Sequence, residues 1–464
     1  MFFQRKYVSP PPEWSRRALT YWDCGQFALV DSPTIAWVVT GDVDITRLSN
    51  TLEKAVKRRA PWMRGRLART ESGSPLYEIH VPPENSDVTA CSVSTSEIDD
   101  PLDSVISYTP NGTSQPSIRI LERYDPTIIN PRNAKCGAED CVNNNYPLLH
   151  LHFITASDAT LVSLAWNHVP MDASGCAQIV AIWEEELNGI ETDTVYEDVD
   201  PEKIFDFTDD IPLEPGLPLP GWIQPSWLDY VKLAPSHLYS MYTDPAVDGT
   251  IYLPRALVEH WKRESEKELP AGEWVSRNDL VEAWLYKYGW SHHHPSTPIT
   301  MFCAMCFRGK HPSLPRTLIT NTAMSYVIPT HTSSTLQSTS LAQLAHKIRL
   351  ATTPFHNPSH VAEVVAYEYR NVKSTNGKGP YLPLGVPRGK HLGAISWAKL
   401  GLSRVRFGGG LETRACLTYN AGRRCATVID SEGGDWRVDL RLGRKTWEVL
   451  RVQVEEERKK IEAE

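Results

Sequence analysis

The chain has 464 residues, 41% hydrophobic and 22% charged, with a formal net charge of −8 at pH 7. That length accommodates two or three domains, the balance excludes a fully disordered chain, and the acidic sum argues against general nucleic-acid binding, which needs a basic face. No run approaches the ~18 apolar residues of a membrane-spanning helix, no apolar signal segment opens the chain, and the nine cysteines are an odd, scattered set, so a reducing cytoplasm is expected.

In chain order, residues 34–40 are rich in β-branched types and predict a strand. Asp44 then offers an N-cap, and Ile45, Leu48, Leu52 and Val56 keep helical spacing until Arg58, Arg59 and Pro61 close the helix. Residues 101–145 are polar and rich in Asn, Pro and Gly, which predicts mostly loop. Strand-like runs follow at 148–154 and 160–166, then a helix over 175–187. Five prolines between 212 and 225 fit neither a helix nor a central strand, and they predict a linker at 212–228 between halves 1–211 and 229–464. In the second half, Asn278 or Asp279 can cap a helix carrying Leu280, Val281, Trp284, Leu285 and Tyr288. A strand is predicted at 298–307, a helix around Leu341, Leu344 and Ile348, an exposed loop at 371–390, and a final helix with Trp447, Leu450 and Val454. Strands and helices mix throughout, so the class is α/β or α+β.

The segment with the clearest chemistry is Asn167-His168-Val169-Pro170-Met171-Asp172-Ala173-Ser174-Gly175, set between a strand and a helix. A histidine titrating near pH 6.5 can take a proton at neutral pH and return it. Pro170 bars a regular helix through the motif, so His168 and Asp172 do not share a helix face. With 15 histidines in the chain, chance alone supplies about one His-x-x-x-Asp, and context must carry the reading. Competing motifs are weaker. Cys303 and Cys306 have metal-ligand spacing, but an odd separation on a strand sends the thiols to opposite faces. His292-His293-His294 follows a helix and is most simply a solvated turn. Gly408-Gly409-Gly410 lacks the Lys-Ser/Thr of a phosphate loop.

The context exists. Residues 162–175 with the amphipathic helix after them resemble the HxxxD element of the BAHD acyltransferases and their fungal relatives, with Ala173 where a Gly is usual. Further matches keep the family's order: residues 52–67 are similar to its first helix and following strand, and 278–284 to the helix opening its second core. Phe307-Arg308-Gly309-Lys310 with Asn321 resembles its Arg-containing strand and downstream Asn. Ile395-Ser396-Trp397 followed by Arg406-Phe407-Gly408-Gly409-Gly410 is similar to its Ser-Trp element and DFGWG loop.

The resemblance implies two similar chloramphenicol-acetyltransferase-like mixed α/β domains with a tunnel at their interface. It implies an acyl-CoA-dependent O- or N-acyltransferase acting on a small specialised metabolite. His168 is then the general base, Ser396 and Trp397 lie on the oxyanion and acceptor side, and Asn321 and Lys310 lie on the coenzyme side. Asp172 turns from the tunnel and holds its loop through an arginine. No cofactor is tightly bound, acyl-CoA is a co-substrate, and no metal, nucleic acid or membrane is involved; a cytoplasmic monomer is expected.

One departure stands out. Arg406 replaces the Asp of DFGWG, which in the family is a structural partner of the Arg that Arg308 resembles. Two arginines cannot make that pair. Arg406 is therefore expected to reach solvent or another carboxylate, with Phe407 and Gly408 in a rebuilt loop whose glycines widen the tunnel. The same change motivates two alternatives, a CoA-independent cyclase or isomerase of a hydrophobic intermediate and a non-catalytic binding protein.

Overall fold

A computed structural model describes residues 9–25, 32–106, 108–121, 128–129, 137–192, 196, 201–212, 228, 231, 235, 242–376, 389–419, 425–430 and 434–463. The predicted linker lies almost wholly outside the described residues.

The N-terminal sheet is built on runs that are apolar on both faces. Strands β2 (Thr34–Thr40) and β8 (Thr160–Trp166) are buried along nearly their whole length, which marks central strands covered on each side. Its five strands run β13-β2-β8-β7-β5, with β5 at Cys91–Glu97, β7 at Leu149–Thr155 and β13 at Glu412–Tyr419. A small sheet of β1 (Ser15–Ala18), β4 (Tyr77–Val81) and β3 (Arg66–Arg69) lies beside it. The C-terminal sheet has seven strands in the order β11-β10-β12-β14-β15-β9-β6. These are Ala323–Thr332, Pro298–Cys306, Lys390–Ser396, Cys425–Asp430, Trp436–Gly443, Ala246–Leu253 and Ser117–Leu121. At its centre, β10, β12 and β14 pair in parallel.

Helices cover both sheets. Asp44 caps α1 (Ile45–Arg59) by accepting from the Arg47 amide, and Lys57, Arg58 and Arg59 occupy its last turn, where cations favour the helix dipole. After the short helix α2 (Ala138–Asn144), α3 (Ala173–Leu187) packs against α1, and the Trp183 indole donates to the Leu48 carbonyl at 3.0 Å. In the second half come α4 (Arg255–Glu268), α5 (Arg277–Tyr288), α6 (Leu341–Thr352), α7 (Pro358–Ser374) and α8 (Arg444–Ala463).

Three expectations change. The 101–145 segment carries more regular structure than expected, since it supplies β6 within it and α2 at its end. The Ser-Ile-Arg-Ile-Leu run is short, and its partner β9 is more than a hundred residues away, so local sequence carries little of the signal. The cap of α5 is Ser276, not Asn278 or Asp279; Asp279 closes the reciprocal capping box from the third helical position. The loop expected from 371 begins after α7 has run on to Ser374, while residues 377–388 lie outside the described set.

The two halves are not independent. β6 leaves the first half to pair with β9, and β13 leaves the second half to pair with β2. Accordingly, Trp397, Leu402, Val405, Phe407 and Cys416 sit in the apolar core of the first half, with Trp37, Trp166 and Trp183.

Candidate active site

The His-x-x-x-Asp turn is held at both ends. β8 ends at Trp166, and the Asn167 amide donates to the Leu148 carbonyl. The Asn167 side-chain oxygen accepts from the Val169 amide at 2.9 Å, a local turn that competes with continued strand. His168 follows, half-buried, while its neighbours Asn167 and Val169 are buried. Pro170 stops regular structure, and Asp172 becomes the N-cap of α3, accepting from the Gly175 amide at 2.9 Å. Gly175 is required by space: a Cβ there would lie 2.1 Å from the Ile319 carbonyl oxygen.

Segment 318–323 runs against this turn. The Asn321 carboxamide nitrogen lies 3.0 Å from the His168 carbonyl and 2.7 Å from that of Val169. The Thr322 and Ala323 amides donate to Asp172 at 3.0 and 3.1 Å. Arg308 completes the frame: its guanidinium meets the Asp172 carboxylate at 2.8 Å and donates to the carbonyls of Leu318, Ile319 and Thr320 and to Cys306 Sγ. Both members of the pair are buried. Burial opposes the Asp172 charge, but Arg308 and the surrounding amides outweigh it and hold the carboxyl below its ordinary range. Asp172 is thus engaged on both oxygens in supporting the loop.

Trp397 is buried and meets Trp166 with ring centroids 5.9 Å apart, so the end of β12 lies against the end of β8. Trp397 donates its backbone amide to Val428. Ser396 Oγ donates to Asn278 Oδ1 at 2.5 Å; in this arrangement its hydrogen is committed, and its lone pairs are what it offers a ligand. Behind Asn278 lies Glu282, pushed up to about 8 first by burial and then by the Asp279 charge, with hydrogen bonds from Asn278 and Cys303 opposing. Between pH 4.5, its ordinary value, and about 8 the folded state keeps a proton that the unfolded chain has released. Stability therefore falls with rising pH across that window, by roughly 1 kcal/mol per unit. Glu282→Gln should remove this slope: urea unfolding at pH 6 and pH 8 should show a gain over wild type that is larger at pH 8. An equal effect at both values would contradict it.

Two calls move. Asn321, expected on the coenzyme side, is buried with its amide nitrogen among three oxygens, so its role is to hold the turn. Arg308 and Arg406 do not meet. Asp172, which pairs with Arg308, is at the start of α3, whereas the Arg406 amide donates to Glu184 and its carbonyl accepts from Asn188 at the other end. Twelve helical residues separate those ends by about 18 Å. Arg406 is exposed, and Phe407 is buried edge-on against Trp37 and Trp183, with centroids 5.5 Å away in each case. Gly408 faces Arg47 and Asn188, and Gly409 and Gly410 are exposed, so these glycines do not widen a tunnel. Gly408 has φ +66°, and a Cβ there would lie 2.9 Å from Arg47 Nη2. Gly408→Ala should cost about 1 kcal/mol or more, and Arg406→Asp no more than ~0.5 kcal/mol. Thermal melting in which Arg406→Asp proves the more damaging would overturn that assignment.

Lys310 is half-buried, donating to the Phe355 carbonyl at 3.3 Å; burial pushes its pKa down, and nearby Lys399 adds to the effect. Among the described residues no group of three or more His, Cys, Asp or Glu side chains is set to hold a metal, and no helix is long and apolar enough to cross a membrane. Sequence reasoning missed Asp23, whose carboxylate reaches Asn321, and the signal available was the Thr20-x-x-Asp23 turn spacing.

This arrangement is the fold of the BAHD acyltransferases: two mixed α/β halves of chloramphenicol-acetyltransferase type, with the His-x-x-x-Asp turn entering a helix where they meet. TRI101 of F. sporotrichioides, solved with coenzyme A and T-2, superposes with a TM-score of 0.70 at 16% identity over 94% of this chain and 96% of that one. Vinorine synthase superposes at 0.62 and 14% identity, over 97% and 96%. No family model matches the chain. In sequence it is 25% identical over 349 residues to O-acetyltransferase PaAT-2 of Phomopsis amygdali, covering 68% of this chain and 69% of the relative. Acetyltransferase pyiB of Pyricularia grisea matches at 25% over 263 residues, half of its own length. The chain thus has the fold of the BAHD acyltransferases and is similar in sequence to fungal acetyltransferases.

Proposed function

We propose that the chain moves an acyl group from acyl-CoA to a hydroxyl or amine of a small specialised metabolite, with His168 as general base. The observation that carries this reading is the presentation of His168. Its backbone is fixed through Asn321 and its turn through Asp172, while its imidazole is half-buried beside the junction of the halves. A base held this way can take the acceptor's proton as the acceptor oxygen or nitrogen attacks the thioester carbonyl. The proton then passes to the departing thiolate, so no acyl-enzyme and no nucleophilic Ser or Cys is needed. In fact Cys24, Cys176, Cys303 and Cys416 are buried thiols pushed up by desolvation, unsuited to attack.

The tetrahedral oxyanion needs donors in place, worth ~3 kcal/mol each in other acyl-transfer enzymes. Ser396 and Trp397 lie at the strand end that meets Trp166, and with the Ser396 hydrogen engaged by Asn278, the Trp397 indole is the favoured donor. On the coenzyme side, the mutual repulsion of Lys310 and Lys399 is a place where a phosphate would be welcome. A hydroxyl acceptor and an acetyl donor are the first choices, since relatives are named O-acetyltransferase and acetyltransferase. The cyclase alternative was motivated by the Arg406 loop, which lies at the far end of α3 and gives it no support.

The test is release of free CoA thiol from acetyl-CoA in the presence of small hydroxylated or amino metabolites, with product mass raised by one acyl group. Thiol release that depends on acceptor supports the reading. No release with any acyl-CoA, together with no CoA binding by calorimetry, overturns it.

A further inference from the structure

The chain's N-terminal segment carries a wholly buried carboxylate for which the mechanism above has no use. Asp23 Oδ1 accepts from the Asn321 backbone amide at 3.2 Å and from its carboxamide nitrogen at 2.8 Å. Its Oδ2 accepts from the Thr20 amide at 2.9 Å and the Thr20 hydroxyl at 2.7 Å. Among the described residues no cation pairs with Asp23; all these partners are neutral donors. A buried carboxylate without a countercharge is costly, and burial raises this one to about 6, with the hydrogen bonds from Asn321 and Thr20 opposing.

What that cost secures is the orientation of one carboxamide. The Asn321 amide nitrogen sits among three oxygens, those of Asp23, His168 and Val169. Turned over, its own oxygen would face two carbonyls and a carboxylate, so only one orientation is allowed. With Asp23 removed, two backbone carbonyls alone would hold it, and the group could swing. A second contact from the same segment grips the same rail: the Trp22 indole donates to the Ala323 carbonyl at 3.3 Å, and the Ala323 amide donates to Asp172.

We propose that Asp23 is a positioning residue for His168, acting through Asn321 to fix the backbone carbonyls of His168 and Val169. This rests on His168 being the base of an acyl transfer.

In kinetics, Asp23→Ala should lower kcat ~10–100-fold with KM for acyl-CoA and acceptor changed less than ~3-fold, because a misplaced base is felt in the chemical step. Asp23→Asn, which keeps an oxygen toward Asn321, should restore kcat to within ~5-fold of wild type. Asn321→Ala should resemble Asp23→Ala, and the double variant should be no worse than either single one. A folded Asp23→Ala protein with wild-type kcat, a loss expressed equally in KM, or additive losses in the double variant would each overturn the proposal.

Should Asp23→Ala fail to fold, Asp23→Asn decides through the pH profile of kcat. The other titratable groups facing Asp23 are Cys24, pushed up to about 12, and Tyr369, also pushed up by burial; both stay neutral through the acid range. Because protonated Asp23 and Asn are both neutral, the acid limb of wild type should carry a step of no more than ~5-fold that Asp23→Asn lacks, and an unchanged limb would count against the proposal. A readout independent of turnover separates this inference from the proposed function. The His168 ring resonance, assigned by its loss in His168→Ala, should move in Asn321→Ala and in Asp23→Ala, while that of His346 on α6 stays. If no acyl transfer is ever found, a shifted His168 signal still upholds the Asp23 link, and an unshifted one removes it.

Discussion

His168→Ala is expected to lower kcat by ~10²–10⁴ while leaving the protein folded. Both halves of that expectation come from the same geometry. His168 is half-buried, and Asn321 holds the turn through the carbonyl of residue 168 while Asp172 takes neighbouring backbone amides, contacts that alanine retains. The substitution therefore removes the proton acceptor and little else. Steady-state kinetics with acetyl-CoA and an accepted metabolite, beside a melting curve, give the answer. A folded variant with kcat near wild type would remove general-base catalysis by His168.

The largest structural effect is expected at Asp172. Its carboxylate faces the buried Arg308 guanidinium, caps α3 through the Gly175 amide and takes the Thr322 and Ala323 amides. Asp172→Ala leaves Arg308 buried without its countercharge, a class of change that costs about 3–5 kcal/mol. Asp172→Asn keeps the shape but loses the charge, and it should also melt below wild type. The pH dependence has a definite sign. The folded-state pKa is depressed from 3.8, so this stabilisation is fully present above that value and is lost as pH falls through the folded-state pKa. A melting temperature unchanged by Asp172→Asn, with activity abolished, would assign the carboxylate a direct chemical part instead.

The elements most legible in the sequence were those with strong local signals. Strands β2 and β8 occupy the very residues their apolar, β-branched runs indicate, and α1 starts after the Asp44 its spacing required. The His-x-x-x-Asp turn was legible because Pro170 and the flanking elements exclude other local structures. Strand β6 was not, because its stability comes from pairing with β9 across the chain. The Arg406 loop misled for a different reason. A motif in one dimension does not say which end of α3 it meets, and the loop packs Phe407 against Trp37 and Trp183, far from Arg308. Asp23 escaped notice because a carboxylate earns attention from a nearby base or cation, and its partners are neutral amides and a hydroxyl.

The exchange of β6 and β13 makes the molecule a single cooperative unit. Cut at residue 211 or 229, the first piece would lose the strand that covers β2 and the second the strand that covers β9, each baring a long ladder of unpaired amides and carbonyls. Neither piece should be soluble when expressed alone, whereas co-expression should restore a complex by strand complementation. The same interlocking forbids clamshell opening about the connecting segment. If the halves cannot part, acyl-CoA and acceptor under the proposed function would have to enter and leave with β2 and β9 still paired to their exchanged strands.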